Sequence, residues 1–261
     1  MLDAPTYVIS DLHLGAAPVE VERACLEFLR SLRGRARALV VNGDLYDFWF
    51  EWRTVIPRRA FRVLAALGDL KDSGTEVLWI AGNHDCWGGE VLRDDLGLDY
   101  HVGPWVGNAA GWNTRIEHGD GLRAVEDRRY RALRRVIRHP ASIAAFRWIH
   151  PDLSSRVATG SSEASRTHRA RDGGAGLRDV AFATLDANPG LDLVLFGHSH
   201  VRALQRAPGG GVYANAGSWL DLPTFLVLTP ERVELRRWTG SAEGERLDAL
   251  DRRAKEALPK A

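Results

Sequence analysis

The sequence predicts an α/β fold with buried strands, on three observations. Apolar, β-rich runs alternate with segments of helical periodicity in the order strand, helix, strand, helix, strand. The longest apolar runs, such as Leu191–Phe196 and Phe225–Leu228, have the length of strands and fall far short of the ~18 residues a membrane span needs. Five strands each end in a polar cluster, at the edge where open α/β sheets place their ligand sites.

The first strand, Pro5–Ser10, carries Thr6, Tyr7, Val8 and Ile9 and ends at Asp11-Leu12-His13. Glu20–Leu32 follows as a helix, with Val21, Cys25, Phe28, Leu29 and Leu32 on one face. Ala38–Val41 is the second strand, closed by Asn42-Gly43-Asp44. A second helix is expected from Pro57, a favoured first helical position, to Gly74, a favoured stop, with Phe61, Leu64 and Leu67 as its buried stripe. Val77–Ala81 is the third strand and ends at Gly82-Asn83-His84-Asp85; Thr114–Glu117 is the fourth and ends at His118-Gly119-Asp120. After a long interruption, Leu177, Val180, Ala181, Thr184 and Leu185 recur at helical spacing, and the strand Asp192–Phe196 then delivers Gly197-His198-Ser199-His200. Gly211–Ala214, Thr224–Thr229 and Val233–Trp238 are short alternating strands, and the charged tail, residues 241–261, is expected to form a surface helix.

Composition narrows the function classes. A chain of 261 residues holds one large domain or two small ones, and 45% hydrophobic with 26% charged residues excludes general disorder. A net charge of +1 argues against a generally basic nucleic-acid binder. Cys25 and Cys86 cannot frame a disulfide scaffold and suit a reducing, cytoplasmic compartment. Met1-Leu2-Asp3-Ala4-Pro5 lacks the basic stretch that opens a secretory signal, so none is expected. Of 35 basic residues, all but Lys71, Lys255 and Lys260 are arginine, a bias that reflects genome composition or a use for phosphate.

The strand ends gather Asp11, His13, Asp44, Asn83, His84, His118, His198 and His200. Oxygen and imidazole donors without thiolate suit Mn, Fe, Zn, Ni or Co. Such a set is too large for one ordinary metal and about right for two sharing a carboxylate, the arrangement that clamps both oxygens of an in-line phosphoryl displacement. Singly, each residue has an ordinary reading: Asp-x-His as a cap, Asn-Gly-Asp as a turn, a lone His as a satisfied polar group. The conjunction decides against those readings, because five of the nine histidines fall in these clusters.

Asp11-x-His13, Gly43-Asp44, Gly82-Asn83-His84-Asp85, Glu117-His118-Gly119-Asp120 and Gly197-His198-Ser199-His200, in this order, resemble the five motifs of the calcineurin-like metallophosphoesterases. The resemblance covers most of residues 5–230 and implies a four-layer αββα sandwich in residues 1–240. It implies that Asp11, His13 and His200 hold a first divalent metal, that Asp44 bridges, and that Asn83, His118 and His198 hold a second, with Mn²⁺ as the expected ion. His84 would bond the phosphate and protonate the leaving group, with Asp85 orienting it.

Residues 121–172 separate the fourth strand from the next core helix and hold twelve arginines against five acidic residues, a net of +7. Tyr130, Leu133 and Ile137 mark one helical stripe and Ile143, Phe146 and Ile149 a second, divided by Pro140, which suggests a helical lid, a membrane-surface contact or a solvated hairpin. The run Tyr46-Asp-Phe-Trp-Phe-Glu-Trp52 reads either as aromatic core or as the wall of an apolar pocket. Asp44-Leu-Tyr-Asp-Phe-Trp-Phe50, Asp127-x-x-Tyr130 and Trp148-Ile-His-Pro-Asp-Leu153 resemble the UDP-2,3-diacylglucosamine pyrophosphatases of lipid A synthesis, which carry an inserted helical lid. That resemblance implies hydrolysis of a nucleotide-linked glycolipid to UMP and 2,3-diacylglucosamine 1-phosphate, a cytoplasmic protein peripheral to the inner membrane, and substrate contacts from Asp127, Tyr130 and Arg156. The best-known members of that branch have Arg at the place of His84, which leaves the substrate open. Three alternatives remain: a general phosphodiesterase or phosphatase on nucleotides, a nuclease using the arginines, and a non-catalytic scaffold.

Overall fold

The structure, a computed structural model, describes residues 1–154 and 172–252. Its architecture follows from the two faces of the first strands. In β1 (Thr6–Ile9), β2 (Ala38–Asn42) and β3 (Glu76–Ile80), the side chains of Val8, Val40, Leu78 and Ile80 point one way and those of Tyr7, Ile9, Leu39, Val41, Val77 and Trp79 the other. Both faces are apolar, so both must be covered, and a slip of one residue would exchange them.

The outward face receives α1 (Val19–Ser31) and α2 (Phe61–Asp72) through Phe28, Leu29, Leu64 and Leu67. The inward face meets a second sheet, whose β6 (Trp112–Ile116), β7 (Leu193–Leu195) and β9 (Val212–Asn215) contribute Trp112, Ile116, Leu193, Leu195, Val212 and Ala214. The far side of that sheet, with Val194, Phe196 and Tyr213, is sealed by Leu177, Ala181 and Leu185 of α5 (Ala175–Ala187). Three apolar clusters between four layers make the αββα sandwich that the motifs implied.

With β4 (Asp99–His101), β5 (Trp105–Ala109), β8 (Ala203–Arg206), β10 (Thr224–Leu228), β11 (Arg232–Arg237) and β12 (Glu245–Asp251), the sheet orders are β12-β11-β10-β1-β2-β3-β4 and β5-β6-β7-β9-β8. The strands β1 to β4 run parallel, as do β6 and β7, so their C-terminal ends collect the polar clusters.

Two expectations are corrected. The second helix begins at Phe61 rather than Pro57, behind the left-handed Ala60 (φ 53°), which leaves Pro57–Arg59 in the preceding loop. The described part of the tail after Ser241 forms β12, not a helix; residues 253–261 lie outside the described residues. Its charges face those of the neighbouring strand, with Arg232 3.2 Å from Asp251 and Arg237 paired with Glu245, so what reads as a solvated helical face is a set of cross-strand pairs. Strands β4, β5 and β8 escape sequence reading because Asp99-Tyr-His, Trp105-Val-Gly-Asn-Ala and Ala203-Leu-Gln-Arg are short and carry little β signal.

Phe28 joins the outer helix layer to the sheet, fully buried among Tyr7, Trp219, Phe225 and Trp238 at ring-centroid distances of 5.0–6.3 Å. Phe28→Ala is expected to cost about 3–5 kcal/mol. Urea unfolding should show a lower midpoint with an unchanged slope.

Candidate metal centre

The strand ends hold their side chains by backbone conformations that L residues rarely adopt. Asp11 (φ 56°), His13 (φ 49°), Asp44 (φ 53°), His198 (φ 61°) and His200 (φ 58°) all lie in the left-handed region. Strain concentrated in this way persists only where the surroundings enforce it, and it gathers at functional sites. Two glycines make the close approach feasible. A Cβ on Gly43 would collide with His118 Nδ1, and one on Gly82 with Asp44 Oδ1.

The result is one compact cluster with three overlapping groups: Asp11, His13 and His200; Asp44, His118 and His198; and His13, Asp44 and His84, each with potential ligand atoms within 4.8 Å of one another. His13 Nε2 lies 3.1 Å from His200 Nε2, which is 3.5 Å from Asp11 Oδ1. His118 Nε2 lies 3.1 Å from Asp44 Oδ2, while its Nδ1 donates to the Asn42 carbonyl at 2.9 Å and so leaves Nε2 as the inward atom. The two carboxylates are oriented by main chain: His84 N–H donates to Asp44 Oδ1 at 2.9 Å, and His198 N–H to Asp11 Oδ1 at 3.0 Å. Among the described residues, the buried Asn83 Oδ1 has no hydrogen-bond partner, and His118 Nε2 has only the Asp44 carboxylate beside it. Such nitrogen and oxygen donors around carboxylates, with no thiolate, fit a divalent cation.

Burial sets the local charge states. It pushes the His13 imidazole well below its usual range and His198 down to about 4, helped there by His118. It raises the Asp11 carboxyl, against His200 and His118. Burial also works against charging Asp44 and His118, yet their proximity prevails: the Asp44 carboxyl stays well below its range and the His118 imidazole well above.

The sequence profile of the calcineurin-like phosphoesterases matches residues 4–202. The chain belongs to that family. It is 32% identical over 262 residues to the UDP-2,3-diacylglucosamine hydrolase of Stenotrophomonas maltophilia, covering 95% of this chain and 99% of that protein. It is 35% identical over 164 residues to the protein of the same name from Porphyromonas gingivalis, covering 61% of this chain and 63% of that one. The solved structure of a dimetal phosphatase from Danio rerio superposes with a TM-score of 0.49 at 12% identity, over 95% of this chain and 98% of that one.

Within this calcineurin-like phosphoesterase, some expected roles move. Asp85 does not orient His84. Its buried carboxylate, raised to about 6 by burial and by Asp44, accepts from the main-chain N–H groups of Gly82 (2.7 Å) and Leu45 (2.9 Å) and from the Trp79 indole (3.3 Å). His84 is held by Asp47 instead, through an Nδ1–H···carbonyl bond of 2.8 Å. The Asp47 carboxylate lies 3.8 Å from both His13 Nδ1 and His84 Nδ1. Only its position three residues after Asp44 signals it in the sequence.

Asp127, expected as a substrate contact, is buried and accepts from Arg123 through main chain (3.0 Å) and guanidinium (2.8 Å). Tyr130 donates to Asp120 Oδ2 at 2.6 Å. Both side chains root the insertion, whose described part includes α3 (Arg128–Ile137) and α4 (Pro140–Phe146); Arg156 lies outside the described residues.

The aromatic run serves both readings. Tyr46 and Trp49 pack on Trp79 in the core, whereas Phe48 and Trp52 line a cleft of about 1400 Å³ that borders Asp47. Phe146 of α4 meets Phe48, Phe50 and Trp52 at 4.8–6.4 Å, so the insertion is docked on the residues that follow Asp44. The cleft also receives Val55, Ile56, Arg53, Arg58 and Arg59 from the loop before α2, and Arg147 and Trp148 from beyond α4. The Arg-rich stretch 53–59 had no sequence signal beyond its charge.

Proposed function

We propose that the chain hydrolyses the pyrophosphate of UDP-2,3-diacylglucosamine to UMP and 2,3-diacylglucosamine 1-phosphate, in lipid A synthesis, at a centre of two divalent cations, with Mn²⁺ the preferred ion. The observation that carries the reading is the cleft beside the metal cluster. It is walled by Phe48, Trp52, Val55, Ile56 and Trp148 and rimmed by arginines, which matches an acylated, phosphorylated substrate. Relatives of the same name at 32–35% identity support it.

Asp11, His13 and His200 would hold one cation and Asn83, His118 and His198 the other, with Asp44 between them. Bound there, the cations would neutralise the phosphate oxygens and make hydroxide available near neutral pH. The chain's own residues do the rest. The Asp47 carbonyl only accepts, so His84 keeps its proton on Nδ1 and turns Nε2 toward Asp44, 3.9 Å from Oδ2. As the imidazolium, His84 donates from Nε2 to a phosphate oxygen. The cleft would shelter the acyl chains from water, with the described part of the insertion as its lid.

Exposed Trp148, Leu153, Val125, Leu133 and Val136 stand among the arginines of the insertion, which supports docking on an anionic cytoplasmic leaflet. No helix among the described residues is long and apolar enough to cross a membrane.

The deciding assay follows UMP release from UDP-2,3-diacylglucosamine in mixed micelles with Mn²⁺, beside bis(p-nitrophenyl) phosphate and cyclic nucleotides. Preference for the glycolipid by at least about tenfold in kcat/KM, about 1.4 kcal/mol, is expected. Faster turnover of the simple diesters would replace this reading with a general phosphodiesterase, which His84 in place of the branch's Arg favours.

Cation binding should also release a proton at neutral pH. Against its burial, Asp44 holds the His118 imidazole well above its usual range, and a cation must take that nitrogen, so affinity should rise with pH. Calorimetry in buffers of different ionisation enthalpy reads the proton. Binding without proton release would remove His118 from the ligand set.

A further inference from the structure

A guanidinium of the insertion bridges the two sheets beside the metal centre. Arg138, at the C-terminal end of α3, is 14% exposed and donates from Nη2 to the Gly82 carbonyl at 3.1 Å and to Asp120 Oδ2 at 3.1 Å. Gly82 closes β3 in the first sheet and immediately precedes Asn83. Asp120 follows β6 in the second sheet, two residues after His118. A single nitrogen with two N–H bonds thus spans the two sheets at the mouth of the cluster.

Neither anchor is loose. The Asp120 carboxylate is 4% exposed and also takes the Tyr130 hydroxyl, with Arg134 Nη1 3.4 Å away. The Trp87 indole donates to the Ile137 carbonyl at 3.0 Å, so the end of α3 meets the Gly82–Trp87 loop twice. Gly82 in turn packs so closely on Asp44 that a Cβ would not fit, and the next residue but one, His84, donates its N–H to Asp44. A shift at Gly82 is therefore felt at Asn83 and Asp44 together. Removing the guanidinium would also leave Asp120 buried with one cation fewer.

We propose that Arg138 is a positioning residue through which the insertion completes the metal centre, setting Asn83 and His118 for the cation they would share. This rests on the two-cation reading above. Loss of an outer hydrogen-bond partner typically weakens a metal site about 10–100-fold.

The test titrates Mn²⁺ into metal-free wild type, Arg138→Met, Arg138→Lys and, as a control on the exposed side of the same helix, Arg135→Met, following bound Mn²⁺ by electron paramagnetic resonance. Wild type and Arg135→Met should bind two ions alike. In Arg138→Met one of the two should weaken by about 10–100-fold while the other stays within about twofold. Arg138→Lys, which keeps the charge and can reach at most part of the bridge, should recover part of the loss. Hydrogen exchange should accelerate in 82–87 and 118–121, with the metal-free thermal midpoint little changed.

Unchanged affinity for both ions in Arg138→Met overturns the proposal. So does an equal loss at both that tracks a fallen thermal midpoint, which would mark a purely structural role. If wild type binds one ion only, the two-cation reading fails, and the proposal stands or falls on whether Arg138→Met weakens that ion. Should Arg138→Met not fold, the same criteria apply to Arg138→Lys.

Discussion

Asp44→Asn should abolish metal loading and lower turnover on the order of 10³-fold, beyond the roughly 10–100-fold that losing an outer partner of a ligand costs. Asparagine keeps the shape and can still accept the His84 N–H through its oxygen, so the loop following β3 has no reason to move. What is lost is the anionic oxygen 3.1 Å from His118 Nε2, the one charge placed to hold two cations close together. The metal-free protein should also lose stability. Asp44 is 1% exposed, and against its burial the neighbouring His118 and His84 hold the carboxyl well below its usual range; removing it takes one partner from a buried pair, which typically costs about 3–5 kcal/mol. Wild type should gain thermal stability on adding Mn²⁺, by binding linkage, whereas Asp44→Asn should start at a lower midpoint and gain none. Mass-spectrometric metal content and thermal melts with and without Mn²⁺ read both effects. An Asp44→Asn protein that still carries two ions per chain would remove Asp44 from the bridging position.

What the sequence discloses depends on how far along the chain each residue's partners lie. Asp11, His13, Asp44, His118, His198 and His200 are legible because each sits directly behind an apolar strand, and strand ends on one side of parallel sheets must converge. The polar residues announce themselves against their apolar neighbours. Asp47 and Arg138 do not, because their meaning lies in contacts over sequence separations of 37 and 56 residues, to His84 and Gly82. Arg138 is one of twelve arginines in its segment, and nothing local marks it as a residue that reaches Gly82 and Asp120. Asp85 misleads for a related reason. Adjacency to His84 suggests a pair, yet neighbours in a tight turn point apart, and its carboxylate closes the turn by accepting from Gly82 and Leu45. Likewise β12 is unreadable from its own seven residues, since the charges that deny it an apolar face are matched by the charges of β11.

His84→Ala should separate the substrate classes more sharply than any rate measured on wild type. The Nδ1–H bond to the Asp47 carbonyl fixes the ring, and Nε2 is the only nitrogen left to meet a phosphate. Two contributions are lost together: a cationic donor to the developing negative charge, worth about 10²–10³-fold where one such donor is removed elsewhere, and a proton for the leaving oxygen, worth about 10²–10⁴-fold. A pyrophosphate splits off a phosphate monoester, whose second pKa of about 6 lets it depart without a proton. Only the first contribution is then at stake, and the loss on UDP-2,3-diacylglucosamine should stay near 10²–10³-fold. A uridine alkyl phosphodiester releases an alkoxide, so both contributions are exposed and the loss should be larger by a further 10²-fold or more. The ratio of the two losses, measured as kcat on the same preparation, isolates proton transfer from charge stabilisation. Equal losses on both substrates would mean that His84 stabilises charge and protonates nothing. Negligible losses on both would place it away from the reacting phosphate, leaving the imidazole as a purely structural neighbour of Asp44.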